Sequence, residues 1–121
     1  MSTINDSPQV IFDEMEELNN KLNETGKELS PLVHSVAEKE RDYNILFAQV
    51  TLQKKADGLP VTLIKDIVKG NRGVADAKMQ LYLAEQFYKI TIEKMKDIRS
   101  RIEQQRSKLT WKRMEISNAN M

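Results

Sequence analysis

The sequence predicts an all-α protein, built as an antiparallel hairpin of two long coiled-coil-like helices with a short helix at the tip. Two long segments place apolar residues at alternating steps of three and four, the spacing of a helix seam. Glycine (4), proline (3) and aromatic residues (6%) are too few for a loop-rich or β-rich chain of 121 residues. That length corresponds to a single domain.

The first long helix is predicted over residues 8–56. Ser7 provides an N-cap and Pro8 suits the first helical position, where its missing N–H costs nothing. We expect the helix to end near Ala56-Asp57-Gly58. Its seam consists of Ile11, Met15, Leu18, Leu22, Thr25, Leu29, Leu32, Val36, Lys39, Tyr43, Leu46 and Val50.

Pro31 interrupts this helix, because its ring clashes with the carbonyl group of Lys27. The seam nevertheless continues past Pro31 without a change of phase. This favours a kink or a brief break between two roughly coaxial helices. A reversal of chain direction is the alternative.

Residues 57–73 form the predicted tip of the hairpin. Leu59-Pro60 is a connection, because proline disfavours helix at the residue before it. Thr62 is the expected cap of a short helix from Leu63 to Lys69, which Gly70-Asn71 ends.

The second long helix is predicted over residues 74–116. Its seam consists of Val74, Ala77, Leu81, Ala84, Tyr88, Thr91, Met95, Ile98, Ile102, Gln105, Leu109, Lys112 and Ile116. A second apolar row lies beside the seam, formed by Met79, Leu83, Phe87 and Ile90. A two-helix hairpin buries one side of such a helix, so we expect another copy of the chain to cover this row. The alternative is that the short tip helix folds back over it.

Catalytic and metal-binding constellations are not evident. The chain has no cysteine and one histidine, His34, whose partner one turn away is Glu38 in an expected surface contact. The carboxylate pairs Glu14/Glu17 and Glu24/Glu28 have solvated neighbours. The run from Gly70 to Gly73 has backbone N–H groups that could face a phosphate, although a plain turn is the better interpretation. We therefore expect no enzyme and no cofactor.

Membrane association is not expected either, because the apolar runs are only a few residues long. Residues 1–6 lack the basic and apolar segments of a signal peptide. The absence of cysteine is compatible with a reducing cytoplasm, where we expect the protein to lie.

Charge is distributed unevenly along the chain. Residues 89–113 carry nine basic and three acidic residues, and we expect the acidic residues of segment 6–28 to neutralise them across the hairpin. The tip has no acidic helix beside it. Its five cations form a candidate phosphate-binding site: Lys54, Lys55, Lys65, Lys69 and Arg72. Aromatic residues are absent from segment 54–72, so we expect binding there to be electrostatic and independent of sequence.

Three runs carry a resemblance to a known group of proteins: Thr62-Leu63-Ile64-Lys65-Asp66-Ile67-Val68-Lys69-Gly70, Leu83-Ala84-Glu85-Gln86-Phe87-Tyr88-Lys89, and the tail from Ile98 to Trp111. They resemble small helical proteins encoded in the early regions of tailed phages and prophages. The layout of residues 30–116 is also similar to the recombination-mediator proteins of large tailed phages. The resemblance implies a homo-oligomer in the host cytoplasm that binds single-stranded DNA. It also implies a recombinase or a single-strand-binding protein as partner.

Overall fold

The computed structural model describes residues 7–119, and the predicted all-α fold is confirmed for them. They form four helices and no strand: α1 (Pro8–Lys27), α2 (Leu29–Ala56), α3 (Val61–Lys69) and α4 (Arg72–Ala119). Segment 1–6, where we expect no signal peptide, lies outside the described residues. The described residues divide into two compact units, one of residues 7–28 and 91–119 and one of residues 29–90.

Unit 1 pairs α1 with residues 91–119 of α4. The Ser7 hydroxyl accepts a hydrogen bond from the N–H of Val10 at 3.3 Å and caps α1 as predicted. Two contacts give the direction of pairing. Gln105 donates a hydrogen bond to Glu14, and a methyl group at Gly26 would lie 3.8 Å from Met95. Since residue number rises along α1 as it falls along α4, the helices are antiparallel.

Unit 2 consists of α2, α3 and residues 72–90 of α4. Its core is a cluster of Val50, Ile64, Val68 and Val74, with Tyr43, Leu46, Phe47 and Leu59 packed around it. A methyl group at Gly73 would lie 3.5 Å from Leu46, while Val36 and Tyr88 line one groove farther along. The α2 and α4 segments are therefore antiparallel as well.

The seam positions are buried or half-buried in both units. This holds for every predicted seam residue of α1 and α2, and for those of α4 from Val74 to Lys112. Ile116 departs from the prediction, because its side chain is 51% exposed. The register of unit 1 places residue 112 opposite Pro8, so no residue of α1 lies opposite Ile116.

The segment predicted as one helix, 8–56, consists of α1 and α2 with Glu28 between them. Glu28 has φ −76° and ψ −18°, and its N–H bonds to the carbonyl groups of Gly26 and Thr25. The break precedes Pro31 by three residues, so Pro31 falls in the first turn of α2. Backbone N–H groups of a first turn have no partner within their helix, so proline removes no hydrogen bond there.

The end of α2 is a glycine cap. Gly58 has φ +81°, its N–H bonds to Lys55, and the N–H of Leu59 bonds to Lys54. This pair of hydrogen bonds is the Schellman arrangement, which requires a left-handed residue. Leu59 then packs on the core of unit 2.

The start of α3 differs from the prediction. The helix begins at Val61 with Pro60 at the N-cap position, and no side chain caps it. Thr62 is thus inside the helix and is not its cap. The fixed φ of proline, −57° here, already suits a helix start, and the Pro60 carbonyl accepts from the N–H of Leu63.

Candidate nucleic-acid interface

The five predicted tip cations lie on three helices of unit 2. Lys54 and Lys55 are in the last turn of α2, Lys65 and Lys69 are on α3, and Arg72 begins α4. All are exposed except Lys54, which is half-buried. None of the five forms an ion pair with any residue from 7 to 119. Their charge is therefore available to an external anion.

Three of these five cations line one of two grooves. The first, which we name the α2–α3 groove, has a volume of about 280 Å³ and is lined by Phe47, Thr51, Lys55, Val61, Ile64 and Lys65. The second, the tyrosine groove, has a volume of about 430 Å³ and is lined by Tyr43, Lys69, Val74, Ala75, Lys78, Met79 and Tyr82. Lys54 and Arg72 line neither groove. The predicted cluster thus separates into Lys55 and Lys65 in one groove, Lys69 in the other, and two cations outside both.

The α4 side of the tyrosine groove was not predicted from the sequence. Tyr82 and Lys78 lie outside segment 54–72, and folding brings them beside Lys69. One signal for them is their spacing, since Ala75, Lys78 and Tyr82 follow steps of three and four and so share one side of α4. Their proximity to Lys69 depends on how α3 packs against α4, and the spacing of residues along α4 does not predict that packing.

The basic segment of α4 is neutralised differently from our expectation. Lys96 pairs with Glu93 at 3.2 Å and Arg101 with Asp97 at 3.2 Å. Arg106 pairs with Glu103. The expectation that acidic residues of segment 6–28 neutralise these cations is therefore wrong for Arg101 and Arg106, because each pairs with a carboxylate one turn away on its own helix.

The run from Gly70 to Gly73 is a helix junction. The Asn71 side-chain oxygen accepts from the N–H of Val74 at 3.1 Å, and the Asn71 carbonyl accepts from Ala75 at 2.8 Å. The Asn71 side chain thus already accepts the hydrogen bond of the Val74 N–H, which a bound phosphate would need. This arrangement favours the plain turn.

The second apolar row of α4 is exposed in unit 2. Met79, Leu83, Phe87 and Ile90 are 51%, 41%, 59% and 62% exposed, respectively. Helix α3 does not cover them, because it buries Ile64 and Val68 in the unit 2 core instead. The alternative in which the tip helix folds over this row is therefore wrong.

The other candidate residues have ordinary surface contacts. His34 and Glu38 are 3.5 Å apart, and the histidine side chain is 81% exposed. Glu24 pairs with Lys27, and Glu14 accepts from Gln105. Residues 7–119 contain no group of three or more metal-ligating side chains. Within the same range, no helix has the length and apolar character needed to cross a membrane.

Comparisons with known proteins identify no relative. No protein-family model, no curated protein and no solved structure matches this chain.

Proposed function

We propose that this protein is a phage-type accessory factor for DNA recombination or replication. It binds single-stranded DNA non-specifically as a homo-oligomer. The observation that carries this proposal is the contrast between two basic regions. It is a difference of degree: at least four of the nine cations in residues 89–113 pair within α4, namely Lys96, Arg101, Arg106 and Lys112, whereas none of the five tip cations forms an ion pair with a described residue.

Unpaired, exposed cations are suited to a phosphate backbone. A DNA strand brings a condensed layer of counterions, and each phosphate that a lysine or arginine neutralises releases them. The tip supplies five unpaired cations from three helices, four of them exposed, so a strand can contact several at once. Phosphate contacts carry no base identity, which makes this binding non-specific.

The exposed row of Met79, Leu83, Phe87 and Ile90 supports the proposed oligomerisation. A contiguous apolar surface of this kind is costly in water and marks an interaction site. A second copy supplies an identical row. Oligomerisation through equal faces repeats the tip cations in the assembly and raises the local positive charge.

The resemblance to recombination mediators supports the same function and adds candidate partners. Those proteins help to load a recombinase onto DNA coated by a single-strand-binding protein. We therefore propose that a recombinase or a single-strand-binding protein is a partner of this chain. The resemblance rests on layout and short runs in residues 30–116.

The test is a fluorescence-anisotropy titration with a labelled oligothymidylate at two salt concentrations. Replacing Lys65, Lys69 and Arg72 together by glutamine should weaken binding and flatten the salt dependence. The log–log slope should fall in magnitude by about 2, since each phosphate contact contributes roughly 0.7.

The matched control removes three cations from unit 1, namely Arg99, Arg101 and Arg106. It should affect DNA binding less than the tip variant does. If the control variant loses binding while the tip variant keeps it, the site lies on α4 of unit 1. If the wild-type protein binds no oligonucleotide even at low salt, the DNA-binding function is rejected.

A second candidate function is a structural or adaptor protein that binds a different protein, such as an inhibitor of a host factor or an assembly chaperone. The exposed row on α4 favours it, because a heterologous partner could occupy that row instead of a second copy. Light scattering distinguishes the two. A monomer at micromolar protein concentration that also fails to bind DNA would favour the adaptor.

A further inference from the structure

We propose that the tyrosine groove binds a base of a single strand. The ring of Tyr82 stacks on the base, and Lys69 and Lys78 hold the adjoining phosphates. This inference rests on the proposed DNA-binding function and deepens it. It replaces purely electrostatic binding by a site that also contacts bases.

The lining of the tyrosine groove has the chemistry that a nucleotide requires. Val74 and Ala75 provide an apolar surface, and two lysines provide positive charge. Met79 also lines the groove and is shared with the apolar row that we assign to the oligomer interface. No carboxylate lines the groove. A base presents an apolar face and its phosphate a negative charge, so both parts of a nucleotide find a complementary surface.

Tyr82 is the residue available for stacking. Its side chain is 59% exposed although the groove beside it is apolar, so a large part of the ring remains in water. It lies on the long helix α4, one turn after Met79 and Lys78. A base on this ring would remove apolar area from water on both partners.

Tyr43 forms the opposite side of the groove and is held in place. It is half-buried, and its ring centroid is 5.9 Å from that of Phe47 with the planes at 52°. Such tilted pairs are a favourable aromatic geometry. The groove thus has one fixed aromatic wall and one exposed ring.

The two lysines come from different helices. Lys69 is the last residue of α3 and Lys78 is in the second turn of α4. A strand lying in the groove would meet positive charge from both helices. By contrast, a groove between α1 and α4 in unit 1 is lined by side chains of both charges, such as Glu14, Glu17 and Arg101. No aromatic side chain lines it.

The α2–α3 groove provides a continuation for the strand. Tyr43, Phe47, Thr51 and Lys55 follow each other at steps of four along α2, so the two grooves share one row of side chains. Lys65 and Lys69 are likewise one turn apart on α3. A backbone leaving the tyrosine groove along this row therefore meets Lys65 and Lys55.

Stacking in the groove predicts a preference for single strands. Bases of a duplex are already stacked on each other and cannot reach Tyr82, whereas every unpaired base presents a π-face. The site is therefore selective for single strands and tolerant of sequence.

The experiment compares oligothymidylate with an abasic oligonucleotide of equal length, which keeps the phosphates but lacks bases. Binding to each is measured by fluorescence anisotropy for the wild-type protein, Tyr82→Ala, Tyr82→Phe and Trp111→Ala. Trp111 is the matched control, because it is an exposed aromatic residue of unit 1 with 61% exposure. Circular dichroism and light scattering verify that every variant keeps its helicity and assembly state.

The wild-type protein should bind oligothymidylate more tightly than the abasic strand, by roughly five- to 150-fold for one stacked base. Tyr82→Ala should lose this difference, binding both strands as weakly as the wild type binds the abasic one. Tyr82→Phe and Trp111→Ala should retain it. Lys69→Gln with Lys78→Gln should weaken binding to both strands equally.

Two results overturn the inference, and they are distinguishable. Equal wild-type binding of the two strands, or an unchanged preference in Tyr82→Ala, would show that DNA is bound without this base site. Failure of the wild-type protein to bind either strand at low salt would overturn the proposed function and the groove together.

Discussion

Replacing Gly58 by alanine should destabilise the protein, whereas the same replacement at Gly26 should stabilise it. Gly58 has φ +81° at the end of α2, and a methyl group added there meets nothing within 4 Å. The cost is therefore purely one of backbone conformation. A left-handed backbone conformation costs a residue with a side chain about 1–2 kcal/mol. Alanine also lowers the conformational entropy of the unfolded chain, which offsets part of this cost. We expect a net loss of about 1 kcal/mol.

Gly26 lies near the end of α1 without a left-handed φ. A methyl group there would be 3.8 Å from Met95, an ordinary van der Waals distance. Glycine in a helix costs roughly 0.5–1 kcal/mol relative to alanine, and the added methyl gains a contact. Gly26→Ala should therefore raise the free energy of unfolding by about 1 kcal/mol.

The assay is urea unfolding followed by far-ultraviolet circular dichroism, with every variant at the same protomer concentration. The slope with urea should stay constant while the midpoint moves in opposite directions for the two variants. Gly58→Asn is the control, because asparagine tolerates the left-handed region and should lose less than alanine. An unchanged midpoint for Gly58→Ala would refute the assignment of the cost to backbone conformation, and a lower midpoint for Gly26→Ala would refute the contact with Met95.

The remaining predictions concern other elements. Val68→Ala removes two methyl groups from a fully buried position and should cost roughly 1–3 kcal/mol in urea unfolding. Asn71→Ala removes the cap of α4 and should cost about 1 kcal/mol in the same assay; no loss would mean that the cap is dispensable. Pro31→Ala should stay within about 0.5 kcal/mol of the wild type, because a first-turn N–H has no helical partner; a large change would contradict this placement. Leu83→Glu combined with Phe87→Glu should give monomers by light scattering, and a compact wild-type monomer at micromolar concentration would refute the proposed interface.

The seam was predictable because it depends only on the period of apolar residues. Even its polar members follow the period: Thr25 and Thr91 are buried, and Lys39 is half-buried. Burial at these positions is enforced by the neighbouring helix whatever their chemistry. The period fails at Ile116 because a repeat contains no information about where the opposite helix starts.

The candidate site was predictable only in part. The five tip cations follow from counting charges in segment 54–72, where they outnumber the two acidic residues Asp57 and Asp66. Their division between two grooves depends on the packing of α3, in which Ile64 and Val68 face the core while Leu63 and Ile67 do not. All four residues are apolar, so composition alone could not select the buried pair.

The pairing of Arg101 and Arg106 could have been predicted from spacing. Asp97 precedes Arg101 by four residues and Glu103 precedes Arg106 by three, and both spacings place charges on the same side of a helix. Summing charge over whole helices conceals such local pairs. It counts a cation as available to the opposite helix when its own helix has already neutralised it.

The contact between Glu14 and Gln105 has a consequence for folding. A seam of repeating apolar residues lets two helices slide by seven residues and still bury similar side chains. In unit 1, such a slip would move Glu14 from Gln105 to the level of Ile98 or Lys112, and the Ile98 slip would strand its carboxylate against an aliphatic side chain. The contact of Glu14 with the seam residue Gln105 therefore disfavours the slip toward Ile98, whereas the slip toward Lys112 would bring Glu14 beside an opposite charge. Replacing Glu14 and Gln105 by leucine should leave a stable helix pair in which the slip toward Ile98 no longer strands a carboxylate.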